Sequence, residues 1–180
     1  MKNILYIFLI AGLASAIISC GGGEDSASSL GSTENTATSE SFSGSGVFIV
    51  AGLSGNILRS TNKGASFDNT TSPTANNLYG VGFGNNTFVI AGDNATIVKS
   101  TDDGSSFNSI TSPTSNTLFG VGFGNNTFVA AGISGSIVNS TDNGATWDNA
   151  TSPTANYLRG IMFGNNTFVA VGDSGNIVRS

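Results

Sequence analysis

Apolar and polar positions recur along this chain with a period of 40 residues. Phe83-Gly84-Asn85-Asn86-Thr87-Phe88-Val89 returns unchanged at 123–129 and 163–169. Thr71-Ser72-Pro73-Thr74 returns at 111–114 and 151–154, so the three prolines fall 40 residues apart. Within the unit that starts at Leu78, short apolar runs are cut by turn residues. Leu78–Phe83 reads as one strand, and Gly84-Asn85-Asn86 turns it, because Gly and Asn tolerate positive φ. Thr87–Ala91 is a second strand. Gly92-Asp93-Asn94-Ala95 turns again into a third, Thr96–Ser100. Asp102-Asp103-Gly104 leads to a fourth, Phe107–Ile110, and a Ser/Thr/Pro/Asn loop returns to Leu118. Gly and Pro puncture every stretch of ten residues, and no i, i+3, i+4 stripe survives outside the leader.

Four antiparallel strands per 40 residues is the pattern of a β-propeller blade. A β-helix competes, but three internal turns per repeat suit a four-stranded sheet better than a solenoid coil. The second strand is apolar on consecutive residues, Phe88 to Ala91, as expected of a strand buried on both faces between stacked blades. Gly80 and Gly82 in the first strand suit close backbone approach at a crowded axis. The fold expected is all-β, a partial propeller over residues 44–180. Val47 to about residue 70 supplies the last three strands of one blade, two full units follow, and Leu158–Ser180 supplies the first three of another. That makes about three and a half blades and 14 strands. Closed propellers usually need four to eight blades. The chain stops at Ser180, where a fourth turn of this kind would begin, so an incomplete gene product is the expectation. Ring closure by oligomerisation and a compact partial propeller are the alternatives. Exposed blade edges predict self-association.

The N-terminus carries a processing signal. Lys2 precedes an apolar run, Ile4–Ile18, too short and wrongly flanked for a membrane span. Ile17-Ile18-Ser19-Cys20 resembles a bacterial lipobox. That resemblance implies a signal peptide over 1–19, expected as a helix, cleavage before Cys20 and lipidation of its sulfur. Two or three acyl chains hold a protein firmly on a bilayer. Residues 20–43 then read as the lipidated Cys and a flexible Gly/Ser/Thr tether, with too little apolar surface to order itself. Gly21 is not the Asp that commonly retains lipoproteins at the inner membrane, so the outer membrane of the bacterial envelope is the expected location. A membrane partner through the lipid anchor follows.

Composition narrows the functions. The chain has 180 residues, 9% of them charged, no His, one Cys and a net charge of −5. That balance argues against nucleic acid as a partner, and one Cys excludes an internal disulfide framework.

Ser140-Thr141-Asp142-Asn143-Gly144-Ala145-Thr146-Trp147 matches the Asp-box of bacterial neuraminidase (BNR) repeats, Ser-x-Asp-x-Gly-x-Thr-Trp. Ser100, Asp102, Gly104 and Phe107 keep the pattern with Phe for Trp, and Ser60–Phe67 also has Asn62 for Asp. The flanks, such as Phe168–Ile177, look like the repeats of photosystem II assembly-factor-like propellers. The resemblance implies that the box joins the third and fourth strands of a blade as a folding element. A calcium loop at Asp102-Asp103-Gly104 or Asp142-Asn143-Gly144 is the competing reading. It lacks the further acids and closing Glu of an EF-hand, and no metal or other cofactor is expected.

The resemblance to neuraminidases raises sialidase activity. As that family is known, catalysis uses an arginine triad, a Tyr nucleophile with a Glu partner and an acid. The repeats contain no Glu, and their Asp residues stand mostly in turns. No catalytic residue is assigned. A fragment of a sialidase-like glycosidase and an assembly factor for a membrane protein complex are the alternatives to a non-catalytic binding or scaffold domain. In a four-strand meander, the first and third turns share one end of the blade and the second turn shares the other with the return loop. The first end is nearly constant along the repeats and the second varies. Asp93, Asp173, Tyr79, Phe119, Tyr157 and Arg159 lie at the varied end and form the candidate binding face for a protein or glycan.

Overall fold

The structure, a computed structural model, describes residues 17–20 and 46–180. Blade 1 is β1 (Ile17–Cys20), β2 (Phe48–Ala51), β3 (Ile57–Ser60) and β4 (Asp68–Thr70). Blade 2 is β5 (Leu78–Gly84), β6 (Thr87–Gly92), β7 (Ile97–Ser100) and β8 (Asn108–Ile110). Blade 3 is β9 (Leu118–Gly124), β10 (Thr127–Gly132), β11 (Ile137–Ser140) and β12 (Asp148–Ala150). Blade 4 is β13 (Leu158–Gly164), β14 (Thr167–Gly172) and β15 (Ile177–Arg179). Each sheet is an antiparallel meander in chain order, so the all-β reading and the four-strand unit hold. Strands β2–β15 are the fourteen expected from the repeats.

One expectation is corrected at its edge. The end of the leader is not helical: Ile17–Cys20 pairs antiparallel with β2, Cys20 opposite Phe48 and Ile17 opposite Ala51. The physical reason is that β2 has no first strand from its own repeat, and an unpaired edge takes up any extended, β-branched run within reach. The remainder of the signal segment and the tether to residue 43 lie outside the described residues. Among the described residues no helix is long and apolar enough to cross a membrane.

The blades stack face to face, with the first strands β5, β9 and β13 side by side along the axis. Gly80 is what lets them approach: a methyl there would lie 2.6 Å from the Phe119 carbonyl oxygen and 3.0 Å from the Gly120 backbone. Every residue of β6 is buried, as its unbroken apolar run predicts. Three cores result, each made between blades rather than within one; the third joins Ala131 of blade 3 to Leu158 and Ala170 of blade 4. Ile49, Ala51 and Ile57 of blade 1 meet Val81, Phe88, Ile90 and Val98 of blade 2. Val89, Ala91 and Ile97 of blade 2 meet Val121, Phe128, Ala130 and Val138 of blade 3. At roughly 1.5–3 kcal/mol for each large side chain fully buried, these interfaces hold the stack together.

Candidate functional site

The varied end of the stack is built by a repeated irregularity. Leu78 pairs with Gly92 and Gly80 with Ala91, two adjacent partners for residues two apart, so Tyr79 is left over in a β-bulge. Phe119 and Arg159 occupy the same bulge in blades 3 and 4. Leu78, Leu118 and Leu158 are fully buried beside them and pin the register. A bulge re-aims its extra side chain out of the pleat. The second turn is tied to the preceding return loop by its backbone: Asp93 N–H donates to Asn77 O at 2.8 Å, Ile133 to Thr117 at 2.9 Å and Asp173 to Tyr157 at 2.9 Å.

The re-aimed side chains meet. Ring centroids of Tyr79 and Phe119 are 5.5 Å apart, and those of Phe119 and Tyr157 are 6.4 Å apart, both pairs tilted. The Arg159 guanidinium sits 5.3 Å from the Phe119 centroid and 5.6 Å from that of Tyr157, in cation–π range of both. Asp173 holds that guanidinium with two bonds, Nε to Oδ1 at 2.6 Å and Nη2 to Oδ2 at 3.0 Å. The bond from Arg159 holds the Asp173 carboxyl below its ordinary range, and the Arg159 guanidinium is raised in return. Asp93 serves the other end: its Oδ2 accepts from Tyr79 OH at 3.0 Å and Asn77 Nδ2 at 2.9 Å, and its Oδ1 accepts from Thr117 Oγ1 at 3.2 Å. Burial first, then the bond to Asp93, pushes the Tyr79 phenol up. All six residues singled out in the sequence therefore come together. The two aspartates are engaged with their neighbours and act as holders, and the surface offered is aromatic and cationic. Tyr157 is 39% exposed.

At the opposite end the Asp-boxes close on themselves. Asp142 Oδ1 accepts from Ser140 Oγ, Ala145 N and Thr146 N at 2.8–3.0 Å, and Oδ2 from Thr146 Oγ1 at 2.6 Å. Asp102 makes the corresponding bonds to Ser100 and Ser106. Ser106, then Ser100, brings the Asp102 pKa down to about 2, and Thr146 and Ser140 hold Asp142 lower still. Ser100 Oγ and Ser140 Oγ each accept the box glycine N–H at 2.8 Å. Asn62 rebuilds the loop in blade 1, accepting from Ser66 N at 3.0 Å and donating Nδ2 to Ser66 Oγ at 2.8 Å. These oxygens are occupied by their own turns, which supports the folding role.

Two features were not visible in the chain alone. Bulges leave no signature in an apolar pattern. The boxes also reach across blades: Arg59 Nε donates to Asp103 O at 2.6 Å, and Asn143 Nδ2 to Thr87 Oγ1 at 2.6 Å. The box aromatics Phe107 and Trp147, as the folding role of the box implies, wedge between their own blade and the one before. Phe107 and Trp147 are 6% exposed, whereas Phe67 of blade 1 is 37% exposed. Between blades 3 and 4 the corresponding place is a cavity of about 310 Å³ lined by Val129, Ile137, Phe168, Ala170 and Val178.

Comparison with solved structures supports the architecture. The chain is similar to YCF48 bound to D1 peptide (TM-score 0.61, 18% identity), covering 74% of this chain and 46% of that one. It is similar to YCF48 from Cyanidioschyzon merolae (0.58, 17%; 75% and 49%) and to the computationally designed Ika4 protein (0.62, 12%; 75% and 84%). The chain thus spans about half the length of the two YCF48 chains. No family model matches it, and no curated protein matches it.

Proposed function

We propose that this protein is a non-catalytic binding module of the bacterial envelope that holds a segment of another protein on its aromatic ladder. The observation that carries the reading is the continuous row Tyr79–Phe119–Tyr157 with Arg159 over its last two rings. Tyr and Arg on a rigid scaffold are the residue types that carry binding energy at interfaces. Fixing them beforehand, as Asp93 and Asp173 do, lowers the entropy lost on association. The solved YCF48 complex with a D1 peptide is a propeller of similar fold with a bound peptide, which favours a protein segment over a glycan and keeps the assembly-factor reading open. On this reading Cys20 is lipidated and tethers the domain to the outer membrane. Cleavage before Cys20 would remove Ile17–Ser19 from blade 1, so the lipidated form and the β1–β2 pairing exclude one another.

The test is a peptide array of envelope proteins probed with the full chain. Tyr157→Ala and Arg159→Ala should each weaken a captured segment about tenfold or more, in line with interface anchors. Unchanged binding by both variants, with the fold intact, would sink the proposal. Retention of peptide binding after Cys20→Ser, with loss of membrane association, separates the anchor from the ladder.

A further inference from the structure

Blade 2 departs from its neighbours at positions that gather in one place. Asn94 stands where blades 1, 3 and 4 have serine, Ala95 where all three have glycine, and Ser109 where blades 1 and 3 have asparagine. All three line an open cleft of about 320 Å³ at the varied end. Its walls are the return loop at 73–76, the turn at 94–96, and β8 with the loop that follows it. In blade 3 the corresponding place is bridged, because Asn149 Nδ2 donates to Pro113 O at 3.3 Å. Ser109, at the Asn149 position, is too short to repeat that bond to Pro73. The Pro73 carbonyl and the Ser109 hydroxyl therefore line the cleft without a partner among the described residues. Ala95 frees a third group. It is left-handed at φ 56°, and it alone of the four residues at this position carries a Cβ. In blade 3 Ser152 Oγ donates to Thr154 O at 3.1 Å. Beside Ala95 the Ser112 hydroxyl only accepts, from Thr114 N at 3.4 Å, and its proton is left to the cleft. Backbone strain of this kind gathers at functional sites.

We propose that this cleft binds one neutral sugar residue. Its polar lining is hydroxyl and carboxamide, and no charged side chain lines it. A phosphate, carboxylate or ammonium group would find no opposite charge there. Hydroxyls and carboxamides both donate and accept, which suits the hydroxyls of a sugar. The Pro73 carbonyl offers an acceptor on one wall and the Ser112 hydroxyl a donor on another. Asn76 Nδ2 donates to Thr96 Oγ1 at 2.8 Å and fixes the loop against the turn between them. Ile110, where blades 1 and 3 have threonine and alanine, gives an apolar patch for the C–H face of a ring. The volume lies at the lower end of the roughly 300–1,000 Å³ of ligand pockets, room for one small residue. Folding does not explain the departures of blade 2. Its neighbours show the relaxed residue at each position, glycine at the left-handed one and asparagine across the gap, and blade 2 gives up both. The ladder plays no part in this inference.

Saturation-transfer NMR titration of the full chain tests it, with glucose, galactose, mannose and N-acetylglucosamine as probes, each free and as its trisaccharide. The expected result is saturable binding of at least one of them. Tighter binding of the trisaccharide marks a unit of a longer glycan, and equal binding marks the free sugar; either result supports the site. Ser109→Asn installs the residue of blades 1 and 3, so the fold is kept while the side chain fills the cleft and takes the Pro73 carbonyl. It should weaken binding about tenfold or more. Ala95→Gly returns the Ser112 proton to Thr114 and should weaken binding about two- to tenfold, the worth of one hydrogen bond, without loss of stability. Circular dichroism checks that both variants fold. Binding of no sugar in the panel overturns the proposal, as does binding that Ser109→Asn leaves unchanged. A sugar lost with Tyr157→Ala and kept with Ser109→Asn would sit on the ladder, which refutes the cleft and leaves the ladder to its own test.

Discussion

Replacing Ala95 by Gly should stabilise the protein. The third residue of the second turn is left-handed in all four blades: Gly55 at φ 73°, Ala95 at 56°, Gly135 at 69° and Gly175 at 70°. Only blade 2 places a Cβ there. A left-handed conformation costs a non-glycine residue about 1–2 kcal/mol. Crowding adds to this. A methyl on Gly55 would lie 2.0 Å from Thr74 O, and one on Gly135 would lie 1.8 Å from Thr154 O, so the loop facing Ala95 must shift. The hydrogen bonds register that shift. Ser72 and Ser152 donate to Thr74 O and Thr154 O at 3.0 and 3.1 Å, while in the loop facing Ala95 the Ser112 hydroxyl only accepts, from Thr114 N at 3.4 Å. Recovering that bond is worth about 0.5–1.5 kcal/mol. Against these gains stands the extra freedom of glycine in the unfolded chain, about 0.4–1 kcal/mol. The net expectation for Ala95→Gly is stabilisation of about 1 kcal/mol. Gly135→Ala should cost more than about 2 kcal/mol, since conformation and clash add. Gly175→Ala should cost only about 1 kcal/mol, the conformational part, because nothing lies within 4 Å of the added methyl. Urea unfolding of the four proteins, followed by Trp147 fluorescence, gives the midpoints. Destabilisation by Ala95→Gly, or equal costs for Gly135→Ala and Gly175→Ala, would refute the reasoning.

Two further outcomes follow from the boxes. Phe107→Ala should cost about 3–5 kcal/mol as a buried aromatic between blades, and Phe67→Ala well under half of that, since Phe67 is 37% exposed; thermal melts of the pair check the contrast. The Asp102 carboxyl is depressed to about 2 from 3.8. Its stabilising contribution is therefore complete above its ordinary pKa and lost as pH falls through about 2. Asp102→Asn should flatten that acid limb while keeping the fold at neutral pH, since Asn62 already closes the same loop in blade 1. A steeper acid limb in the variant would contradict the assignment.

Much of the fold was legible because the repeat states it three times. The turn residues at Gly84-Asn85-Asn86, the unbroken run at Phe88–Ala91 and the box at Ser140–Trp147 each have one local solution. The candidate face was legible only as an address. Topology brought Tyr79, Phe119, Tyr157 and Arg159 to one end, but their contact depends on bulges that a period-two pattern does not encode. Asp93 and Asp173 read as members of the binding face, and their part as holders was hidden because their partners, Tyr79 and Arg159, stand 14 residues away. The strand at Ile17–Cys20 was not foreseen, since an apolar leader reads as a helix until an open edge is known to be within reach. Arg59 to Asp103 spans 44 residues between two units, a link that no single repeat contains.

The bulge at Tyr79, Phe119 and Arg159 has a consequence for how such a chain can change. Its side chain lies outside the ladder, while the leucine before it and the glycine after it carry the register. Mutation at that position can therefore change the side chain displayed with little effect on folding. Duplicating a repeat adds one more such position, already placed next to the last. The row can thus lengthen by copying and diversify by single substitutions, like a word gaining letters on a fixed line, and this chain already spells three different ones.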